Sequence, residues 1–529
     1  MNVVRFIYLL VAIFASANIS AQYVTEIKSQ NGEYWWGGVT ALGDRMPYVK
    51  PIDEFNLLTQ NNNNQVVPLL LSNKGRYIWG NYPFKFTASE EGVKINSDFE
   101  TIEVIEAGST LKEAYIQVCS KHFPPSGTIP EELFFSVPQY NTWIELMYNQ
   151  NQKDILEYAK NILANDLPAG VLMIDDNWQN HYGNFEFKPG QFPDPKGMIN
   201  ELHRLGFKVM VWICPFVSAD SPEFRELSRK GYLLKDKNNE VAILKWWNGY
   251  SACYDLTNPD AKKHLVSLLK IAQEKYGIDG YKLDAGDNGI YSQKELVSYK
   301  KDAIATDHTK AWAEIGLEFP FNEYRACWQM GGQPLVQRLG DKDYSWNAVQ
   351  SLIPEMIAAG LLGYAYTCPD MIGGGQYKSF LNMESDKLDQ TLIVRSAQIH
   401  ALMPMMQFSV APWRVLNTEN FDIVKNMAHL HEQMGKYIVN CALKSAESGE
   451  PIVRHMEYDF PNQGFATCKD QFMLGETYMI APVVTNENKR TVILPKGRWK
   501  DDLGKIHKGG RVMEINVPLS RLPYYERLK

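Results

Sequence analysis

Residues 258–287 read NPDAKKHLVSLLKIAQEKYGIDGYKLDAGD, and the reading of this stretch decides the fold. Asn258 can cap a helix and Pro259 suits its first turn. Leu265, Leu268, Leu269 and Ala272 recur on one helical face, and Gly277 stops it. Directly after, Gly280-Tyr-Lys-Leu has the character of a buried strand and ends on Asp284. A helix feeding a buried strand that terminates in a carboxylate is the core of a βα repeat. In a barrel of such repeats the C-terminal strand ends face the active site.

The pattern extends to both sides. Gly170-Val-Leu-Met-Ile-Asp175-Asp176, Phe207-Lys-Val-Met-Val-Trp212-Ile213 and Leu362-Gly-Tyr-Ala-Tyr-Thr-Cys-Pro-Asp370 also read as buried strands, so three of the four runs end on Asp. Between about Val137 and Asn420 apolar runs alternate with amphipathic helical stretches. Before them, short alternating segments such as Tyr77 to Phe86, with turn signals at Asn61–Asn64 and Glu91-Gly92, read as a β-sandwich. From about Pro451 short strands return, at Gln471–Leu474, Tyr478–Val484 and Arg490–Pro495. The expected architecture is α/β: a (β/α)8 TIM barrel over 137–425, an N-terminal β-sandwich over 22–136, and a helical connection with a C-terminal antiparallel β domain over 426–529.

Residues 1–21 are set apart. Arg5, the apolar run Phe6 to Ala17 and small residues at Ser20-Ala21 read as a secretory signal cleaved near Ala21, so a secreted or periplasmic protein is expected. No later apolar run reaches membrane-spanning length. Across the 529 residues, 45% hydrophobic and 22% charged content is that of a globular chain. The 61 acidic and 54 basic residues are interspersed, without a basic stripe to track phosphates, which argues against nucleic acid as a partner. Seven scattered Cys without CxxC spacing support neither a disulfide framework nor a zinc ribbon and read as buried small hydrophobes.

HExxH, GxSxG, Walker and GxGxxG motifs are all missing, which leaves carboxylates at strand ends to carry chemistry. Small Ala285 and Gly286 leave room above Asp284, and Lys282 shares its strand face and would keep it ionised, as a carboxylate nucleophile requires. From spacing alone, a cap on the following helix is the commoner reading of the same Asp. A partner proton donor could be Asp341 or Asp343, either of which could instead be a solvated loop charge. Trp246-Trp247-Asn248-Gly249 could give a sugar-stacking platform with an amide donor; paired Trp, like Trp178 and Trp212, is more often core. Asp175-Asp176 would be costly to bury without partners, and ligand hydroxyls are natural ones.

Taken in order, Ile174-Asp-Asp, Phe192-Pro-Asp-Pro-Lys-Gly-Met, Trp212-Ile-Cys-Pro-Phe-Val, Lys245-Trp-Trp-Asn-Gly, Asp255-Leu-Thr-Asn-Pro, Lys282-Leu-Asp-Ala-Gly, Pro369-Asp-Met-Ile-Gly-Gly and Met405-Met-Gln-Phe-Ser resemble family 31 of the glycoside hydrolases, and within it an α-galactosidase-like branch. The resemblance covers nearly the whole mature chain. It implies the same three-part fold, a nucleophile at Asp284 and an acid/base at Asp341, which stands five residues before Trp346 and sixteen after Arg325. It also implies sugar contacts at Asp175 or Asp176, Trp212, Trp247, Lys282, Arg325 and Asp370. Gln407-Phe-Ser409 and Asp284-Ala-Gly-Asp287 stand where the family's α-glucosidases carry other residues, and both match the α-galactosidase-like branch.

The expectation is therefore a retaining exo-α-glycosidase acting on a terminal α-galactoside, with an α-linked oligosaccharide or glycoside as partner and no metal or organic cofactor. The alternatives are an α-glucosidase, α-xylosidase or sulfoquinovosidase of the same family, and a non-catalytic carbohydrate-binding protein on a hydrolase scaffold.

Overall fold

The computed structural model of the chain describes residues 22–381 and 388–528; the expected signal at 1–21 lies outside them. Eight short strands run parallel in one sheet: β1 (Gln139–Asn141), β2 (Val171–Ile174), β3 (Lys208–Ile213), β4 (Gly280–Leu283), β5 (Phe321–Tyr324), β6 (Gln337–Arg338), β7 (Thr367–Cys368) and β8 (Gln407–Phe408). Each pairs with the next from β1 to β7, and β8 pairs with β1. The ring closes between β7 and β8 through a parallel bridge from Met371 to Gln407, with Ile372 N donating to Gln407 O at 2.9 Å. This is the TIM barrel read from the alternating pattern.

Helices α1 (Gln152–Ala164), α2 (Pro195–Arg204), α3 (Pro259–Tyr276), α4 (Ala305–Ala313), α5 (Trp346–Leu361), α6 (Gln390–Ala401) and α7 (Thr418–Ser448) follow β1 to β4 and β6 to β8. α3 is the helix of the opening stretch. Asn258 Oδ1 caps it by accepting from Asp260 N, and Gly277 ends it at φ 85°, a left-handed turn for which glycine is suited. Leu265, Leu269 and Ala272 are buried as expected, whereas Leu268 is half-exposed at the edge of the face. β5 and β6 have no helix between them, only the connection 325–336.

Three sequence expectations change. The apolar run 362–370 is a strand only at Thr367–Cys368, because its start is the C-terminal end of α5, where Gly363 at φ 89° turns the chain. Tyr478–Val484 is a strand only to Ile480. The boundary expected between 425 and 426 falls inside α7, a single 31-residue helix.

Two four-stranded antiparallel sheets precede the barrel. One holds Tyr23–Lys28, Gly92–Ser97, Lys85–Ser89 and Phe55–Asn56; the other holds Trp35–Val39, Val66–Ser72, Arg76–Trp79 and Val104–Glu106. After the barrel, a six-stranded sheet from Val453 to Leu528 and the hairpin Lys489–Leu494 with Arg511–Asn516 form the C-terminal β domain. Six of the seven Cys are buried, all are free, and Cys468 is half-buried. No helix among the described residues is long and apolar enough to cross a membrane.

Between β3 and α3 the chain leaves the barrel to build a three-stranded antiparallel sheet, Phe216–Ser218, Gly249–Cys253 and Leu244–Trp246. Trp246 pairs with Gly249, so Trp247 and Asn248 form the tip of a two-residue hairpin.

Candidate active site

In register, Trp212 of β3 lies beside Lys282 of β4, and Lys282 beside Glu323 of β5, a row of inward residues one level below the strand ends. Asp284 stands one residue past β4, on the same face as Lys282. Its Oδ2 accepts from Trp212 Nε1 at 2.9 Å, and its Oδ1 accepts from Arg325 Nε at 3.0 Å and from Ala285 N at 2.8 Å. Burial alone would raise this carboxyl; Arg325, Lys282, Arg338 and the Trp212 N–H outweigh it and hold Asp284 well below the usual carboxylate range. The short helix Asn288–Tyr291 begins after Asp287, so Asp284 is not its cap.

On the other side stand Asp341 and Asp370, joined by Arg338 of β6. Arg338 Nη1 donates to Asp341 Oδ1 at 2.9 Å and to Asp370 Oδ1 at 2.6 Å. Asp370 is fully buried, and its Oδ2 also accepts from Lys342 N at 2.7 Å and Gly375 N at 2.9 Å. A Cβ on Gly375 would lie 2.8 Å from Asp370 Oδ1 and 2.9 Å from Asp341 Oδ1, so only glycine brings the backbone this close. Asp341 keeps 35% of its side chain open to solvent. Asp343 is exposed in the same loop.

Behind the strand ends, Lys282 Nζ donates to Asp175 Oδ2 at 2.6 Å, with both side chains buried. Asp175 is thereby committed to an ion pair. Asp176 Oδ2 accepts from Asn248 Nδ2 at 2.7 Å and Tyr182 Oη at 3.2 Å, while its Oδ1 is buried with no hydrogen-bond partner among the described residues. Burial first, then the neighbouring Asp175, push the Asp176 carboxyl up to about 7. Asn248 reaches this position from the hairpin tip, and Tyr148 Oη donates to its Oδ1 at 3.0 Å.

The paired tryptophans divide. Trp247 is 48% exposed, with the Arg325 guanidinium 5.0 Å from its ring centre. Trp246 is buried against Trp212, Phe216 and Tyr182, with its Nε1 on Ser251 Oγ, so the expected two-ring platform is one exposed ring backed by a core residue. Trp178, weighed alongside them, is fully buried.

The structure adds residues that the sequence left unassigned. Arg338, a buried arginine joining two carboxylates, stands three residues before Asp341 and has no sequence signal beyond that spacing. Asp287 accepts from Arg325 Nη2 at 3.0 Å. Tyr182 and Tyr148 come from loops after β2 and β1, and neither has a motif. Glu323 is buried, 3.6 Å from Arg338 Nε, and accepts from Gln407 Nε2 at 2.9 Å. Three surface cavities, of about 770, 670 and 670 Å³, are lined by residues remote from this cluster, among them Lys112 and Arg454 in the first, Asp44 and Lys469 in the second and Lys262 and Glu314 in the third. No group of three or more His, Cys, Asp or Glu side chains among the described residues could hold a metal ion. A carboxylate kept ionised, a second carboxylate open to solvent and a wall of aromatic and amide groups can together perform two-step displacement at an acetal carbon.

Residues 137–441 match the family model described as the glycosyl hydrolases family 31 TIM-barrel domain, and residues 449–528 match the family 31 C-terminal domain. The myogenesis-regulating glycosidase of Mus musculus is 28% identical over 422 residues, covering 78% of this chain and 59% of its own. An α-xylosidase of Emericella nidulans is 25% identical over 527 residues, covering 92% of this chain and 65% of its own. The chain therefore spans less than two thirds of the length of either relative. The structure of a family 31 α-xylosidase from a soil metagenome, complexed with xylose, superposes with a TM-score of 0.82 at 21% identity, covering 96% of this chain and 79% of that one.

Proposed function

The chain belongs to glycoside hydrolase family 31, and on that premise we propose that it is a retaining exo-α-glycosidase whose substrate carries a terminal α-galactose. The observation that carries the mechanism is Asp284, held ionised at the end of β4 by Arg325 and Trp212. In this reading Asp284 attacks the anomeric carbon while Asp341 gives its proton to the glycosidic oxygen, and the alcohol leaves. Asp341 then takes a proton from water as that water opens the glycosyl–Asp284 ester, releasing the sugar with its α configuration and restoring both carboxyl groups.

Galactose and glucose differ only at C4, so the choice between them falls to groups that pair one hydroxyl orientation and leave the other unpaired. Asp176 Oδ1, without a partner among the described residues, and the Asn248 amide at the hairpin tip are where we place that choice, and the likeness of Lys245-Trp-Trp-Asn-Gly to the α-galactosidase-like branch is what favours galactose. A buried acceptor left unpaired costs about 1–3 kcal/mol, enough for tenfold discrimination. Trp247 would stack on the sugar ring, with Arg325, Lys282 and Asp370 around it.

Hydrolysis of a panel of aryl α-glycosides by the purified protein tests this reading, with the α-galactoside expected to be cleaved fastest. An α-glucoside or α-xyloside cleaved as fast or faster overturns galactose and leaves the mechanism standing. Proton NMR should show the α-anomer as first product, and β-sugar appearing first would overturn retention. Glycan binding with no turnover on any α-glycoside would select the non-catalytic alternative.

A further inference from the structure

The Asn61–Asn64 tract reads from sequence as a turn, and its middle residues form one: Asn62 and Asn63 take φ of 47° and 60°, in the left-handed region that Asn tolerates best among non-glycine residues. The flanking Asn61 and Asn64 are buried against the barrel mouth. Asn61 Nδ2 donates to Asp287 Oδ1 at 2.8 Å, and Asn64 Oδ1 accepts from the N–H of Gly340, next to Asp341, at 3.0 Å. Gln65 Nε2 donates to the carbonyl oxygens of Arg325 at 3.1 Å and Arg338 at 3.3 Å. A loop of the N-terminal sandwich thus grips the segments that carry Asp284 and Asp341.

A continuous path leads from this loop to Asp284. Asn61 holds Asp287; Asp287 Oδ2 takes Arg325 Nη2 at 3.0 Å; Arg325 Nε reaches Asp284 Oδ1 at 3.0 Å. Ala285 and Gly286, at φ 60° and 78°, turn the chain between the two carboxylates so that both meet one guanidinium. A Cβ on Gly286 would lie 2.2 Å from the Trp312 ring, so glycine is required there. The arrangement has a chemical consequence. An arginine facing a single carboxylate tends to close on both of its oxygens as a bidentate pair, which would cover the oxygen a nucleophile must present. Asp287 occupies Nη2, and Asp284 then receives only one N–H from the guanidinium.

We propose that Asn61 and Asp287 are positioning residues that hold Arg325 in this one-point contact and keep Asp284 aimed at the anomeric carbon, so that the N-terminal sandwich contributes to the chemical step. This rests on the assignment of Asp284 as nucleophile. The test uses the full chain and a 5-fluoro-α-glycosyl fluoride of the configuration the wild-type enzyme turns over fastest. Such a probe forms a long-lived ester on the nucleophile, and peptide mass spectrometry locates it. Asn61→Ala and Asp287→Asn are expected to slow the maximal labelling rate about tenfold or more, the effect of weakening a hydrogen bond to a charged group, while apparent probe affinity changes less than about threefold and the variants remain folded at the assay temperature. Two variants are used so that one decides should the other fail to fold. Wild-type labelling rates in the folded variants, or a loss confined to probe affinity, overturn the relay. A wild-type enzyme that takes no label on the Asp284 peptide overturns the nucleophile assignment itself.

Discussion

Asp284 and Asp341 are both carboxylates near barrel strand ends, yet their surroundings differ in the way the proposed nucleophile and proton donor require. Asp284 is enclosed by Arg325, Trp212 and a backbone N–H, whereas Asp341 has Arg338 on one side and solvent on the other. Asp284→Asn is nearly isosteric and should abolish turnover while the protein still folds, at some cost in melting temperature because Arg325 loses a charged partner. Asp341→Ala should lose far more activity on natural glycosides than on aryl glycosides with a good leaving group, which needs little protonation; equal losses on both would place the proton donor elsewhere. Asp176 binds its proton up to about pH 7 in the folded chain, against about 3.9 in an unfolded one. The native state therefore holds more protons between those values, and stability declines as pH rises through that window. Asp176→Asn does not titrate, so its melting temperature should gain on wild type between about pH 4 and about pH 7, with activity lost. A constant difference across that range would mean that Asp176 is ionised throughout. The residues that were legible in the sequence, Asp284 and Lys282 above all, follow from strand alternation. Arg338 and Asp287 were not, because their role lies in which charges they meet across loops remote in sequence.

Elements were legible where one physical signal dominated. The helix from Pro259 to Tyr276 carried its cap, its apolar face and its stop in consecutive residues, and formed as read. The run 362–370 did not, because a largely apolar stretch without a clear period fits the end of a buried helix and the turn after it as well as a strand, and tertiary packing chose. The hairpin Leu244–Trp246 with Gly249–Cys253 shows the same limit in its side chains: alternation puts Trp246 and Trp247 on opposite faces, but not which face meets the core. The structure separates their expected losses. Trp247→Ala removes an exposed ring above Arg325 and should lower kcat/KM by about tenfold or more with little change in melting temperature. Trp246→Ala opens a cavity beside Trp212 and should cost about 3–5 kcal/mol of stability. Equal thermal losses for the two would contradict this division of roles.

At the scale of the whole molecule, the three-part order of sandwich, barrel and β domain was written in the change from period-two segments to βα alternation and back. How the parts grip one another was not, since those contacts pair residues dozens to hundreds of positions apart. The Asn61–Asn64 loop is one such grip, and Arg395 of α6 is another. Arg395 is fully buried; its Nη2 donates to Glu487 O at 3.1 Å, Asn488 Oδ1 at 3.2 Å and Val517 O at 3.1 Å, while Nη1 donates to Gln398 Oε1 at 2.9 Å. Gln398 in turn donates to Leu519 O at 2.6 Å. One guanidinium thus serves the ends of the hairpin Lys489–Leu494 and Arg511–Asn516, which belongs to the C-terminal domain, from a helix of the barrel. Arg395→Met keeps an apolar stem but removes the guanidinium and leaves those acceptors without a donor, at about 1–3 kcal/mol for each that water cannot reach. A chain of this size need not unfold in one step, so a single melting temperature is a poor reporter and hydrogen exchange is the better one. Exchange in Arg395→Met should accelerate in residues 487–519 and stay near wild type in β2 to β4, with catalysis at 25 °C largely retained because Asp284 and Asp341 are held by other contacts. Acceleration spread evenly over the barrel would show instead that Arg395 supports the barrel itself, and no change in 487–519 would show that the hairpin is docked by its apolar contacts alone.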